Sequence, residues 1–235
     1  DWYDRDALRQ AVDVFSRHAH TDCVLFDVVQ WVDDHHQQRI PLPQFEVMSG
    51  YEAFSESLSW AIHGVYMARR ALYDRYPYDD SCRAYSDDNT TRLHYYISRE
   101  VRPCGGFYYY RQHEASVTHK AGLRHFDYLR ANESMRRQLI DLGVGDDVLR
   151  RYENQRWLVL VDCWRFYFIH RQRMTPQDRR AARAEMKRVW KTIDTTTLEP
   201  RNKWKLGYMP LRPSWRLFCL QEELYFTLKR WLRRL

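Results

Sequence analysis

The chain has 235 residues, 44% hydrophobic and 15% aromatic, with only 8 Gly and 8 Pro. This excludes a low-complexity or disordered chain and supports one sizeable core, or one domain with a helical appendage. The net charge of +7 is uneven: residues 1–170 hold 21 Lys+Arg against 25 Asp+Glu, and residues 171–235 hold 17 against 6, so basicity belongs to the tail.

In chain order, residues 4–19 place Leu8, Val12 and Phe15 at helical spacing. They predict a helix with those side chains inward and Asp4 as N-cap. Residues 22–31 are short, apolar and β-rich, as expected of a strand covered on both faces. Residues 33–44, with Pro41 and Pro43, read as a loop or edge hairpin. Ser49-Gly50 opens a second helix with Tyr51, Phe54, Leu58 and Ile62 inward, and residues 64–76 continue it after a break at Gly64. Residues 77–86 are irregular, and Asp87 or Asp88 then caps a helix running to about Glu100. Residues 101–111 return to strand character, interrupted by Pro103 and Gly105-Gly106. From Ala121 the pattern is helical, with breaks near 143–145, at Thr175-Pro176 and across 195–213. The reading is an α/β portion over 1–118 and an all-helical extension over 119–235.

The five cysteines, at 23, 82, 104, 163 and 219, are odd in number and form no CxxC pair. A reduced, cytoplasmic protein is the simple reading. The opening DWYDRDALRQ does not resemble a signal peptide. The longest apolar run, residues 157–169, is broken by Asp162 and Arg165 and predicts a buried helix rather than a bilayer span.

Three patterns, in this order, carry a resemblance: DWYDRDALRQAVDVF from Asp1, then Ser86-Asp87-Asp88-Asn89, then YYYRQHEAS over residues 108–116. Ser59-Trp60 and Arg69-Arg70 precede the acidic pair. Together they resemble family 2 glycosyltransferases of the GT-A fold, of the bacterial polysaccharide and cell-wall type, over residues 1–120. The resemblance implies a sugar transferred from a nucleotide-diphosphate donor to a glycan or lipid-linked acceptor, with inversion. It also implies that the nucleotide-binding βα units of the family precede Asp1, leaving an incomplete sheet with a raw edge. Trp60 and Arg70 are then acceptor-side residues, and Asp1 is the last carboxylate of a metal-binding cluster holding Mg2+ or Mn2+.

An inverting transfer needs a base for the acceptor hydroxyl, and a positioned carboxylate contributes about 10²–10⁴-fold. Asp88 is the candidate, with Asp87 second, since the more buried of two adjacent carboxylates holds its proton more tightly. The plainer alternative is that the pair is a helix N-cap. Arg111 has the fork geometry for phosphate oxygens. His113, two residues on in a strand-like segment, projects from the same face and suits phosphate or metal. Solvent-facing loop residues are the alternative for both, and an exposed terminal residue is the alternative for Asp1. Tyr66, Tyr95 and Tyr96, like Trp60, suit sugar stacking or ordinary packing, and His35-His36 reads as loop.

The basic tail raises a nucleic-acid module as a competing class, but no RNA or DNA motif is present and the aromatics fall on apolar helix faces, so no nucleic-acid partner is expected. A non-catalytic assembly fragment is the other alternative. Residues 214–235 place Leu217, Leu220, Leu224, Leu228, Trp231 and Leu235 in one stripe, beside Arg216, Lys229, Arg230, Arg233 and Arg234. Such a helix either rests on the inner face of a membrane or packs its stripe on the helices at 121–192.

Overall fold

The computed structural model describes every residue except Ser81, Arg83, residues 113–121 and residues 233–235. The described residues fall into two compact units, drawn from Asp1–Asp80 with Ser86–Lys120 and from Ser81–Tyr85 with Ala121–Leu235. The first is mixed α/β and the second is helical.

In the first unit the elements are β1 (Trp2–Tyr3), α1 (Ala7–Arg17), β2 (Thr21–Asp33), β3 (His36–Ile40), β4 (Met48–Ser49), α2 (Gly50–Leu58), β5 (Tyr66–Ala68), α3 (Arg70–Arg75), α4 (Asp87–Ile97) and β6 (Glu100–Arg111). The sheet order is β1-β6-β2-β3, with β4 also on β6 and β5 also on β2. The long central pair β2 and β6 runs parallel, matching Val28 to Tyr108, and every other pairing is antiparallel. Parallel pairing buries both faces, which is why residues 21–26 are buried without alternation.

Three local readings are corrected. Residues 66–68 are a strand, not helix: Tyr66 pairs Leu25 and Cys23 pairs Ala68, so the free edge of β2 overrides local helix preference. Helix α1 turns Ala7 and Ala11 inward and leaves Leu8 and Val12 exposed. Its close seat on β6 explains this: a Cβ on Gly106 would lie 2.5 Å from Ala7 Cα, so only small residues fit there. Asp4 does not cap α1 directly. Its Oδ1 accepts from Asp6 N at 3.1 Å and its Oδ2 from Phe107 N at 3.0 Å, pinning the turn before α1 to β6. By contrast, Ser49 and Glu52 form a reciprocal capping box at the start of α2.

The second unit contains a 3-10 turn (Leu123–Phe126), α5 (Asp127–Asp141), α6 (Asp146–His170), α7 (Pro176–Thr192), α8 (Pro200–Lys203) and α9 (Trp215–Trp231). Helix α6 is the spine: Trp157, Leu160, Trp164 and Phe168 are buried against Met186, Trp190, Phe218 and Phe226. Trp157 and Trp190 donate their indole N–H groups to the carbonyls of Tyr208 and Pro210, at 2.8 and 3.0 Å, satisfying both rings. Buried Arg156 donates to Glu153 Oε1 at 2.9 Å and to Thr192 Oγ1 at 2.8 Å. Among the described residues no helix is long and apolar enough to cross a membrane.

Helix α9 reverses one expectation. It docks through Phe218, Cys219, Glu222 and Phe226, so Leu217, Leu220, Leu224, Leu228 and Trp231 do not pack on the bundle. Aromatic side chains fill the bundle space between α6 and α7, and the leucines are left on the opposite face.

Candidate functional site

Helix α4 brings Asp87 and Asp88 to its first turn, with Ser86 at the cap position and no side-chain capping bond. Neither carboxylate makes a hydrogen bond or ion pair among the described residues, and both stand in the first turn of α4, where the helix dipole favours negative charge. Burial pushes the Asp88 carboxyl up to about 6, against the nearby Arg92 guanidinium, and the Asp87 charge adds to the rise. Asp88 is thus largely ionised at neutral pH, yet a much better proton acceptor than an ordinary aspartate.

Arg92 lies one turn on from Asp88 and is 3% exposed. Among the described residues it makes no hydrogen bond and no ion pair, and its Nε is buried without an acceptor. Arg92 Cζ stands 4.9 Å from the centroid of the Trp60 ring, and the Asp88 carboxylate is near enough to feel its charge. A buried guanidinium with a carboxylate nearby but no hydrogen bond to it among the described residues is costly for the fold.

Trp60 sits where α2 ends, at φ +58°. A helix stop of this kind usually takes Gly, because a Cβ is strained in the left-handed region. A tryptophan there costs roughly 1–3 kcal/mol of backbone strain. In return the indole lies over Arg92 with 40% of its surface open to solvent. The turn continues to His63, whose Nδ1 accepts from Val65 N at 3.2 Å and whose carbonyl accepts from the Tyr95 hydroxyl at 2.6 Å. Burial lowers the His63 pKa to about 4, with Asp27 opposing, so the ring is neutral. The bond at Nδ1 puts the proton on Nε2, which has no acceptor among the described residues. Gly64 lets this turn approach α4, since a Cβ there would stand 3.2 Å from Thr91 Oγ1.

The structure therefore joins Asp88, Arg92 and Trp60, with His63 on the same turn as Trp60. Arg92 and His63 were missed by sequence reasoning. Arg92 had a signal, its four-residue offset from Asp88 on one helix face; His63 had none.

The other expected residues form a separate group. Asp1 Oδ1 accepts from Arg111 N at 2.8 Å and Asp1 Oδ2 from the Tyr108 hydroxyl at 3.0 Å, closing β1 onto β6. The Arg111 guanidinium lies 5.6 Å from the Trp31 ring, and Trp2 stacks on Tyr109 at 5.0 Å. Among the described residues no hydrogen bond or ion pair links this group to Asp88. Arg70 stands exposed at the start of α3, 3.6 Å from Asp74, and does not meet Trp60. His113 lies outside the described residues. Among the described residues no group of three or more His, Cys, Asp or Glu side chains is placed to hold a metal.

No protein-family model, curated protein or solved structure matches the chain.

Proposed function

We propose that the first unit is the acceptor-side part of a GT-A glycosyltransferase resembling family 2, and that Asp88 is its base. The observation that carries this is the Asp88 carboxylate, without a hydrogen bond among the described residues and raised to about 6, beside a buried Arg92 whose Nε has no acceptor there and an exposed indole held in a strained turn. In the reaction, Asp88 takes the proton from the attacking acceptor hydroxyl as the sugar leaves its nucleoside diphosphate. Trp60 offers a flat face to the acceptor ring. Arg92 supplies positive charge near the reacting groups, which suits an oxygen gaining negative charge or an anionic substituent. Arg111 is the candidate phosphate ligand, its guanidinium held near Trp31 rather than by a carboxylate.

The test is nucleoside diphosphate release by the native gene product from a panel of nucleotide sugars. Asp88→Asn should lower turnover at least about a hundredfold with donor affinity retained. Near-normal turnover of that variant removes Asp88 from the mechanism.

A further inference from the structure

The guanidinium of Arg92 is hidden by the fold and given no hydrogen bond among the described residues, and its Nε is sealed from solvent. The Trp60 ring takes one face of it. Stacking of that kind leaves the N–H donors free, because they point outward in the guanidinium plane. The matching acceptor is an oxyanion, a carboxylate or a phosphate, which takes two parallel hydrogen bonds from the fork. A neutral hydroxyl would fill one donor and leave the charge of the group uncompensated.

The place of Arg92 on α4 says which substrate brings that anion. Asp88 and Arg92 are four residues apart on one helix, which sets their Cβ atoms about 5–6 Å apart. In the inverting transfer proposed above, the attacking oxygen and the leaving diphosphate stand on opposite sides of the anomeric carbon. Asp88, as base, touches the attacking hydroxyl, so Arg92 lies on the acceptor's side. At the step itself Asp88 takes the hydroxyl proton, the acceptor oxygen bonds to the anomeric carbon, and the bond to the diphosphate oxygen breaks with its electron pair. Asp88 is then uncharged and no longer balances Arg92. Asp87, the other carboxylate of the turn, is exposed, so water screens its charge. An anion carried by the acceptor balances Arg92 before and after the proton moves.

We infer that the acceptor carries a carboxylate or phosphate group, bound by the Arg92 guanidinium beside the open face of Trp60. Assigning the anion to the acceptor rests on the reading of Asp88 as base; the anion site itself rests on Arg92 and Trp60 alone.

The experiment follows the Arg92 Nε–H resonance of the whole chain, assigned by its loss in Arg92→Met, together with thermal unfolding, at constant ionic strength. The probes are acetate, inorganic phosphate, methyl β-D-glucuronide, its uncharged counterpart methyl β-D-glucoside, and uridine diphosphate. Acetate or phosphate should move the resonance saturably and raise the melting temperature of wild type but not of Arg92→Met, and the larger response tells carboxylate from phosphate. The glucuronide should bind about tenfold or more tighter than the glucoside. Arg92→Met should abolish that advantage, and Arg92→Lys, which keeps the charge without the fork, should restore it only in part. No response to either small anion overturns the inference, as does equal binding of the two glycosides or an advantage that survives in Arg92→Met. A resonance moved by uridine diphosphate but not by the glucuronide also overturns it, since the guanidinium then serves the donor. None of these readings measures turnover, so a failure here is distinct from normal turnover of Asp88→Asn, which removes the base and leaves the anion site standing.

Discussion

Two arginines are equally hidden and treated in opposite ways. Arg156, in α6, is 1% exposed and gives hydrogen bonds to Glu153 and Thr192. Glu153 also takes Arg136 and the amide of Asp194, so the pair ties the segment after α7 onto α6. Arg92, in α4, is 3% exposed and among the described residues has only the face of Trp60 and the field of Asp88. Folding alone explains the first arginine. The second works against folding, and positions that cost stability without local compensation tend to be functional ones.

Substitution separates the two roles. Removing one partner of a buried pair leaves the other charge stranded, so Arg156→Ala should lose about 3–5 kcal/mol of stability. Arg92→Met keeps volume and removes a buried charge that no hydrogen bond among the described residues satisfies, so its melting temperature should stay the same or rise while turnover falls about tenfold or more. Chemical denaturation of both variants decides this. Equal destabilisation would make Arg92 a structural residue like Arg156.

Trp60 sharpens the same contrast on a smaller scale. Trp60→Gly removes both the ring and the left-handed strain, whereas Trp60→Ala removes the ring and keeps the strain. The glycine variant should therefore be the more stable by about 1 kcal/mol, although both should raise the acceptor KM. If the alanine variant melts at or above the glycine variant, the backbone at position 60 is unstrained, and strain no longer marks this turn as functional.

Much of this was legible in the sequence. The long buried run of α6, the Thr175-Pro176 start of α7 and the β2 and β6 strands followed from periodicity and punctuation, because these elements bury what their own sequences offer. The failures arose where a neighbour decides. β5 took its conformation from the edge of β2, and the inner face of α1 was set by the close approach of Gly106 rather than by the larger Leu8 and Val12. The leucine line of α9 was visible, but which face the bundle would take depended on aromatic shapes in α6 and α7. In the site, Asp87, Asp88 and Trp60 were readable as residues. The backbone angle of Trp60 and the lack of a hydrogen bond to Arg92 among the described residues are properties of the folded arrangement and have no sequence signature.

The central claim is that Asp88 is a carboxylate tuned by burial and by Arg92, and carbon-detected NMR titration of the carboxyl groups, with Asp88 assigned by its loss in Asp88→Asn, tests it most directly. An Asp88 pKa raised above its unfolded value of about 3.9 stabilises the fold below that value and loses this contribution as pH rises through about 6. Asp88→Asn should accordingly be more stable than wild type at pH 7 and not at pH 4. The titration should place Asp88 near 6 and move it higher in Arg92→Met, where the guanidinium no longer favours the ionised form. An Asp88 that titrates like an exposed aspartate, and does not move in Arg92→Met, contradicts the account.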